Sequence, residues 1–166
     1  KLVVIPADID SFQINFEEFE KAINEHTKAV LINSPNNPCG VVYSEETIKK
    51  LAAILEKKQQ EYGRSIYIIS DEPYREIVFK GFEVPYVPNY YDNTLVCYSY
   101  SKSLSIPGER IGYIAFTNKA KHADILLGVL AAAARSMTYV GVPMMFQQVI
   151  KECDGLTSDT TVYETN

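Results

Sequence analysis

Short apolar runs alternate along the chain with segments whose apolar residues recur every three or four positions, and that alternation predicts a parallel sheet with crossover helices. Five runs have strand length: Leu2 to Ile5, Ala29 to Asn33, Ser65 to Ser70, Leu95 to Ser99 and Ile111 to Phe116. Most are β-branched and apolar on both faces, so helices are expected to cover the sheet above and below. The fold class is α/β, a mostly parallel sheet covered by helices. Asn15 predicts the start of a first helix, with Glu18 three residues on and Ile14 and Phe19 placed as a hydrophobic staple. A second runs from Ser44 to about Tyr62, with Glu45 and Glu46 at its positive end, Lys57 and Lys58 near its negative end and Gly63 as the left-handed stop. Ile48, Leu51, Ala52 and Leu55 form its apolar stripe. A third is expected from Asn118 to about Ala134, and a shorter one after Pro143, which suits a first helical position.

Composition narrows the function classes. The chain has 166 residues, the size of one domain, with 21 acidic against 16 basic side chains and no block of Lys or Arg. It lacks the positive footprint that a phosphate backbone requires, so nucleic acid is not an expected partner. No apolar stretch approaches the roughly 20 residues of a membrane span, and no secretory leader pattern is present. Cys39, Cys97 and Cys153 are far apart and odd in number, which suggests neither a disulfide framework nor a zinc knuckle and points to a reducing, cytoplasmic setting. His26 and His122 belong to no ligand cluster, and no metal is expected. The chain opens inside an apolar run at Lys1 and closes in a polar Thr/Ser/Asp run at Asn166, the pattern expected of an excerpt from something longer.

In open parallel sheets, functional groups gather where loops leave the carboxyl ends of the strands. Ser34-Pro35-Asn36-Asn37-Pro38-Cys39-Gly40 follows one strand, Asp71-Glu72-Pro73-Tyr74 the next and Tyr100-Ser101-Lys102-Ser103 a third, while Pro107-Gly108-Glu109-Arg110 precedes the last. Singly, each has an ordinary structural reading. Asp71 can cap a turn, the Asn-Pro pair can be turn chemistry, Tyr74 can pack, Lys102 can be an exposed lysine and Arg110 can pair with Glu109. Their joint occurrence in this order is what carries information.

In NSPNNPCG at 33–40, SDEPYRE at 70–76 and SYSKSLSIPGERIGY at 99–113 the sequence resembles the fold-type I pyridoxal-phosphate aminotransferases of class I/II, and the likeness extends over nearly the whole chain. The resemblance implies that Lys102 forms a Schiff base with the aldehyde of pyridoxal 5'-phosphate and then shuttles the substrate α-proton. It implies that Asp71 faces the pyridine nitrogen and keeps it protonated, so that the ring remains an electron sink. Tyr74 then corresponds to the phenol bonded to the ring oxygen, and Asn37 to the amide that touches the same oxygen and the substrate carboxylate. Ser99, Ser101 and Arg110 correspond to phosphate ligands, a guanidinium fork being suited to a phosphate dianion. Cys39 stands where threonine is common in the family and Pro73 where a small residue is common; neither removes a proposed contact.

The same resemblance implies that residues 1–166 are part of the large, cofactor-binding domain, with an N-terminal segment and a C-terminal small domain outside this chain. It implies a homodimer acting in amino-acid metabolism, with Ser136 to Gly141 a candidate contribution to a shared site. The reaction expected is ping-pong transfer of an amino group between an amino acid and a 2-oxo acid through pyridoxamine phosphate. Two alternatives keep the cofactor: a lyase or synthase of the same fold, and an aminotransferase-like effector domain of a transcriptional regulator. A dinucleotide-binding domain ranks below these, since no GxGxxG follows a strand.

Overall fold

Three of the five apolar runs form neighbouring parallel strands, β1 (Ala29–Asn33), β2 (Tyr67–Asp71) and β3 (Thr94–Ser99). A fourth, β4 (Gly112–Ala115), pairs antiparallel with β3, and the sheet order is β1-β2-β3-β4. The computed structural model describes residues 1–156, 159 and 161; the rest of the polar C-terminal run lies outside the described residues.

The apolar segment Leu2 to Ile5 is not a strand. It pairs with no other strand, and Leu2 and Val4 are 81% and 80% exposed. A strand exists through its ladder as much as its side chains, and an apolar run alone does not supply a partner.

Helix α1 (Phe16–Ala22) begins where the sequence places it: the Glu18 amide donates to Asn15 Oδ1 at 3.1 Å, and Ile14 and Phe19 both join the core. The crossover from β1 to β2 is α2 (Glu45–Tyr62). Ser44 Oγ accepts the Thr47 amide at its start, and Gly63 ends it with φ of 62°, a left-handed angle that glycine adopts without a Cβ penalty. Its predicted stripe is buried: Ile48, Leu51 and Leu55 pack against Ile32, Ile66 and Ile68 beneath the sheet.

The sheet is mostly parallel and flanked by helices, as the sequence predicts, and its two faces are unequally covered among the described residues. On the α2 side Ile32, Ile68, Ser70, Thr94 and Val96 are buried. On the other, the described residues leave Asn33, Ile69, Asp71 and Cys97 half-exposed and Leu31 65% exposed. The strand's apolar pattern records that a face is to be covered and does not record by what.

Two helix boundaries also differ from the sequence reading. Helix α4 (Ala123–Ser136) starts five residues later than expected, because the Lys121 amide is drawn to Asn93 Oδ1 at 2.7 Å and the Ala120 amide to the Thr117 carbonyl, which commits this stretch to a turn. Helix α5 (Met144–Glu152) follows Pro143, which occupies the cap with extended ψ instead of the first helical position. Neither helix buries a side chain fully: Ile125, Leu127, Val129, Met144 and Met145 are all exposed. Between β3 and β4 lies a single unpredicted helical turn, α3 (Tyr100–Ser103), capped by Ser99.

Gly112 is fixed by close approach. A Cβ there would strike the Tyr98 carbonyl oxygen across the β3–β4 ladder. Gly112→Ala must therefore spread the ladder, and it is expected to destabilise the full protein by about 1–3 kcal/mol, the usual cost of overpacking. A denaturation midpoint equal to wild type would show that the two strands have room to part.

Candidate functional site

The carboxyl ends of β1, β2 and β3 lie side by side, and on the open face they present Asn33, Asp71 and Cys97 at one level, with Asn33 opposite Asp71 and Asp71 opposite Cys97. Asn33 Nδ2 donates to the Asp71 carbonyl at 3.0 Å and to its Oδ2 at 3.1 Å. The other end of the same amide, Asn33 Oδ1, accepts the Asn37 backbone N–H at 2.9 Å. Asn37 Nδ2 then donates to the Tyr74 hydroxyl at 3.1 Å, and the Lys102 ammonium stands 5.5 Å from the centre of the Tyr74 ring, within cation–π range. Asp71, Asn33, Asn37, Tyr74 and Lys102, drawn from the ends of β1 and β2, the loops that follow them and α3, thus form one continuous chain of contacts.

Each member is held locally. The 34–40 loop closes on itself through Asn36 N–H to the Val41 carbonyl and Gly40 N–H to the Asn36 carbonyl, which presents Asn37 toward the second loop. The turn carrying Tyr74 is anchored by Glu72, whose side chain is fully buried. Ser70 Oγ donates to its Oε1 at 2.7 Å, and Arg75 Nη1 to its Oε2 at 2.7 Å. Arg75 Nη2 also donates to the Val84 carbonyl at 3.0 Å, so the turn is tied to the segment beyond it. A buried ion pair of this kind is kept by its extra hydrogen bonds; removing one partner would strand the other.

Ser99 ends β3 and caps α3: its Oγ accepts the Ser101 amide at 3.2 Å and donates to Ser101 Oγ at 2.7 Å. Two hydroxyls and the start of a helical turn therefore lie three and one residues before Lys102. Arg110 is not brought onto them. Its Nη1 donates to the Pro107 carbonyl at 2.9 Å, and among the described residues it makes no ion pair with Glu109 and no bond to Ser99, Ser101 or Lys102. Its backbone, at φ of 52°, is adjacent nevertheless, because the Tyr100 amide donates to the Ile111 carbonyl at 3.1 Å. Within the segment 136–141, Tyr139 reaches this corner, its hydroxyl donating to the Arg110 carbonyl at 3.1 Å.

The electrostatics single out Asp71. Burial pushes its carboxyl above the ordinary value of 3.8, and among the described residues no cation lies within ion-pair distance of it. Burial raises the Cys97 thiol beside it, with the charges of Asp71 and Glu72 adding to the effect. Glu72 is raised as well, burial outweighing the Ser70 and Arg75 contacts. On the far side of Tyr74 opens a cavity of about 630 Å³ lined by Phe12, Pro35, Val42, Val78, Phe79 and Phe82.

Asn33 escaped the sequence reading, although a polar residue closing an apolar strand was a signal that its amide has work beyond the ladder. Glu72 and Arg75 were inside a quoted motif yet carried no role, since nothing in their spacing distinguishes a buried acid from a surface one.

Residues 1–152 match the family model for aminotransferase class I and II. The chain is 40% identical over 108 residues to a probable aspartate/prephenate aminotransferase of Aquifex aeolicus, covering 63% of this chain and 26% of that protein. It is 39% identical over 115 residues to an aspartate aminotransferase of Thermotoga maritima, covering 68% and 29% respectively. A crystal structure of an amino transferase from Eubacterium rectale superposes with a TM-score of 0.94 at 56% identity, over 97% of this chain and 40% of that one. The Thermus thermophilus aspartate aminotransferase with maleate gives a TM-score of 0.65 at 28% identity, over 82% of this chain and 33% of that one. The chain thus spans well under half the length of these relatives. On the match of all but its last residues to the family model, this chain belongs to the class I and II aminotransferases, whose members depend on pyridoxal phosphate.

Proposed function

We propose that this chain is the cofactor-binding part of a larger enzyme that transfers an amino group between an amino acid and a 2-oxo acid. The observation that carries the reading is the contact chain from Asp71 through Asn33, Asn37 and Tyr74 to Lys102. The donor set fits pyridoxal phosphate: a half-buried carboxyl without a cation suits a protonated ring nitrogen, and the paired Ser99 and Ser101 hydroxyls at a helical turn suit a phosphate. When bound, the cofactor supplies an aldehyde carbon for an amino group and a cationic ring that draws electrons from it.

The protein's own residues do the rest. Asp71 keeps the proton on the ring nitrogen. Asn33 fixes the Asp71 carboxyl and the 34–40 loop together, so the acid and Asn37 cannot drift independently. Tyr74 and Asn37, bonded to each other here, would hold the cofactor from one side, and Asn37 would orient the substrate carboxylate. Lys102 would be the amine that holds the cofactor and that moves the proton at the substrate α-carbon. Arg110, whose guanidinium bonds the Pro107 carbonyl in this structure, is proposed as a further phosphate ligand. The cavity next to Tyr74 gives room for a substrate alongside.

The parent enzyme is proposed to act in the cytoplasm, in amino-acid metabolism, as a homodimer without nucleic-acid or membrane partners. The exposed apolar residues of α4 and α5 support a covered face in the whole molecule. Among the described residues no helix is long and apolar enough to cross a membrane.

The test is a half-reaction on the full-length enzyme. Amino acid given alone, without an oxo acid, is expected to yield one 2-oxo acid per site and then stop until an oxo acid is added. Continuous release of ammonia and pyruvate would replace transfer by elimination.

A further inference from the structure

We propose that Tyr98 is a positioning residue that sets where the Lys102 amine stands, by locking the loop that carries Lys102 to the loop that carries Tyr74. The proposal rests on the function proposed above for Lys102. Tyr98 lies on the helix-covered face of β3, opposite to the face that presents Asp71, and is 8% exposed. Its hydroxyl is 2.8 Å from Glu76 Oε2 and 2.7 Å from Ser103 Oγ. The Tyr98 hydroxyl is the donor toward both, its one proton serving the Glu76 carboxylate or the Ser103 hydroxyl. Glu76 is two residues beyond Tyr74 and Ser103 one beyond Lys102, so a single oxygen joins the two segments whose side chains meet as the Lys102–Tyr74 contact.

The need for such a joint follows from the size of α3. Four residues make one helical turn, too short to hold its own place, since nucleation costs more than one turn returns. Its front is fixed by the Ser99 cap and by Tyr100 N–H to the Ile111 carbonyl. Its rear, where Lys102 and Ser103 lie, is tied through Tyr98. The Tyr98 ring is in turn set by stacking on Tyr113, with centroids 5.0 Å apart and planes 25° apart, and by an edge contact with Tyr100 at 5.2 Å. Tyr98→Phe keeps both ring contacts and removes only the joint.

The experiment uses the full-length holoenzyme, in wild-type, Tyr98→Phe and Ser103→Ala forms. Both variants are expected to retain the cofactor on Lys102, seen by borohydride fixation and peptide mapping. In both, the pH midpoint of the bound cofactor's visible absorbance should move by about half a unit or more as the amine shifts against its neighbours. Turnover should fall about ten-fold with KM for the amino acid nearly unchanged, the signature of a misplaced reacting group. In the cofactor-free proteins, the Leu104 and Ser105 amides that close α3 should exchange about ten-fold faster than in wild type. The double variant should be no worse than Ser103→Ala alone, because the joint is already broken there. If the pH midpoint and turnover stay at wild-type values while only the melting temperature drops, Tyr98 merely packs and the proposal is overturned. If Tyr98→Phe does not fold, Ser103→Ala carries the same readings. If wild type itself is not labelled at Lys102, the function reading fails first and the joint with it, an outcome distinct from normal labelling with an unmoved midpoint.

Discussion

Replacing Lys102 with alanine in the full-length enzyme is expected to abolish both the visible absorbance of bound cofactor and its fixation by borohydride at this position, and to remove transfer activity. The argument is chemical. The role needs a primary amine that can bond to an aldehyde carbon and later accept a proton from the substrate, and no other side chain within the contact chain has a nitrogen able to do so: Asn33 and Asn37 are amides. Transfer should drop by many orders of magnitude, because the covalent route and the proton carrier vanish together. Fold and melting behaviour of the cofactor-free protein should change little, since the exposed Lys102 side chain contributes to the described structure chiefly an approach to the Tyr74 ring. Persistence of labelling in the variant would assign the cofactor to another amine.

Asp71→Asn is expected to separate stability from activity. In the folded protein burial raises the Asp71 carboxyl above its ordinary 3.8, so the native state binds more protons than the unfolded state just above that pH. Stability contributed by this group is therefore present at low pH and lost as pH rises through the raised value, leaving a fixed cost for the charged form at neutrality. Asparagine removes that cost and can still accept the Asn33 Nδ2 bond through its Oδ1. The cofactor-free variant should melt at or above the wild-type temperature at pH 7, with the difference disappearing in acid. A bound ring cation reverses the sign for wild type by lowering the carboxyl, so added pyridoxal phosphate should raise the wild-type midpoint more than the variant's. Turnover should fall about 100-fold or more, the scale of losing one preorganised charge at the reacting centre. Thermal melts with and without cofactor across pH, paired with turnover, check all three; an unchanged rate would remove Asp71 from the mechanism.

The parts of this molecule legible from its sequence are those with a local cause. The α2 stripe, its Ser44 start and Gly63 stop follow from spacing and capping, and the three parallel strands follow from apolar runs bounded by turn residues. Asn37, Asp71, Tyr74 and Lys102 stood out because the motifs that hold them resemble, in their order, those of one family, and the fold places them in a single contact chain. What was not legible depends on partners distant in sequence. Leu2 to Ile5 has strand composition without a ladder. Residues 118–122 have helical composition but are captured by Asn93. The bridging amide of Asn33 and the joint at Tyr98 exist only after strands separated by dozens of residues are adjacent. Arg110 shows the converse: a side chain named from its motif, whose guanidinium the fold turns to the Pro107 carbonyl.

The open face of the sheet has a consequence for the cell. Groups proposed to grip the vitamin come from residues 33–37, 71–74 and 99–110, three stretches well separated in sequence, so one small molecule would cross-link the ends of three strands. Ligand held at 100 times its dissociation constant would add about 2.7 kcal/mol to folding. The amount of this enzyme surviving proteolysis should then track vitamin B6 supply, and starvation for the vitamin would deplete the protein as well as idle it.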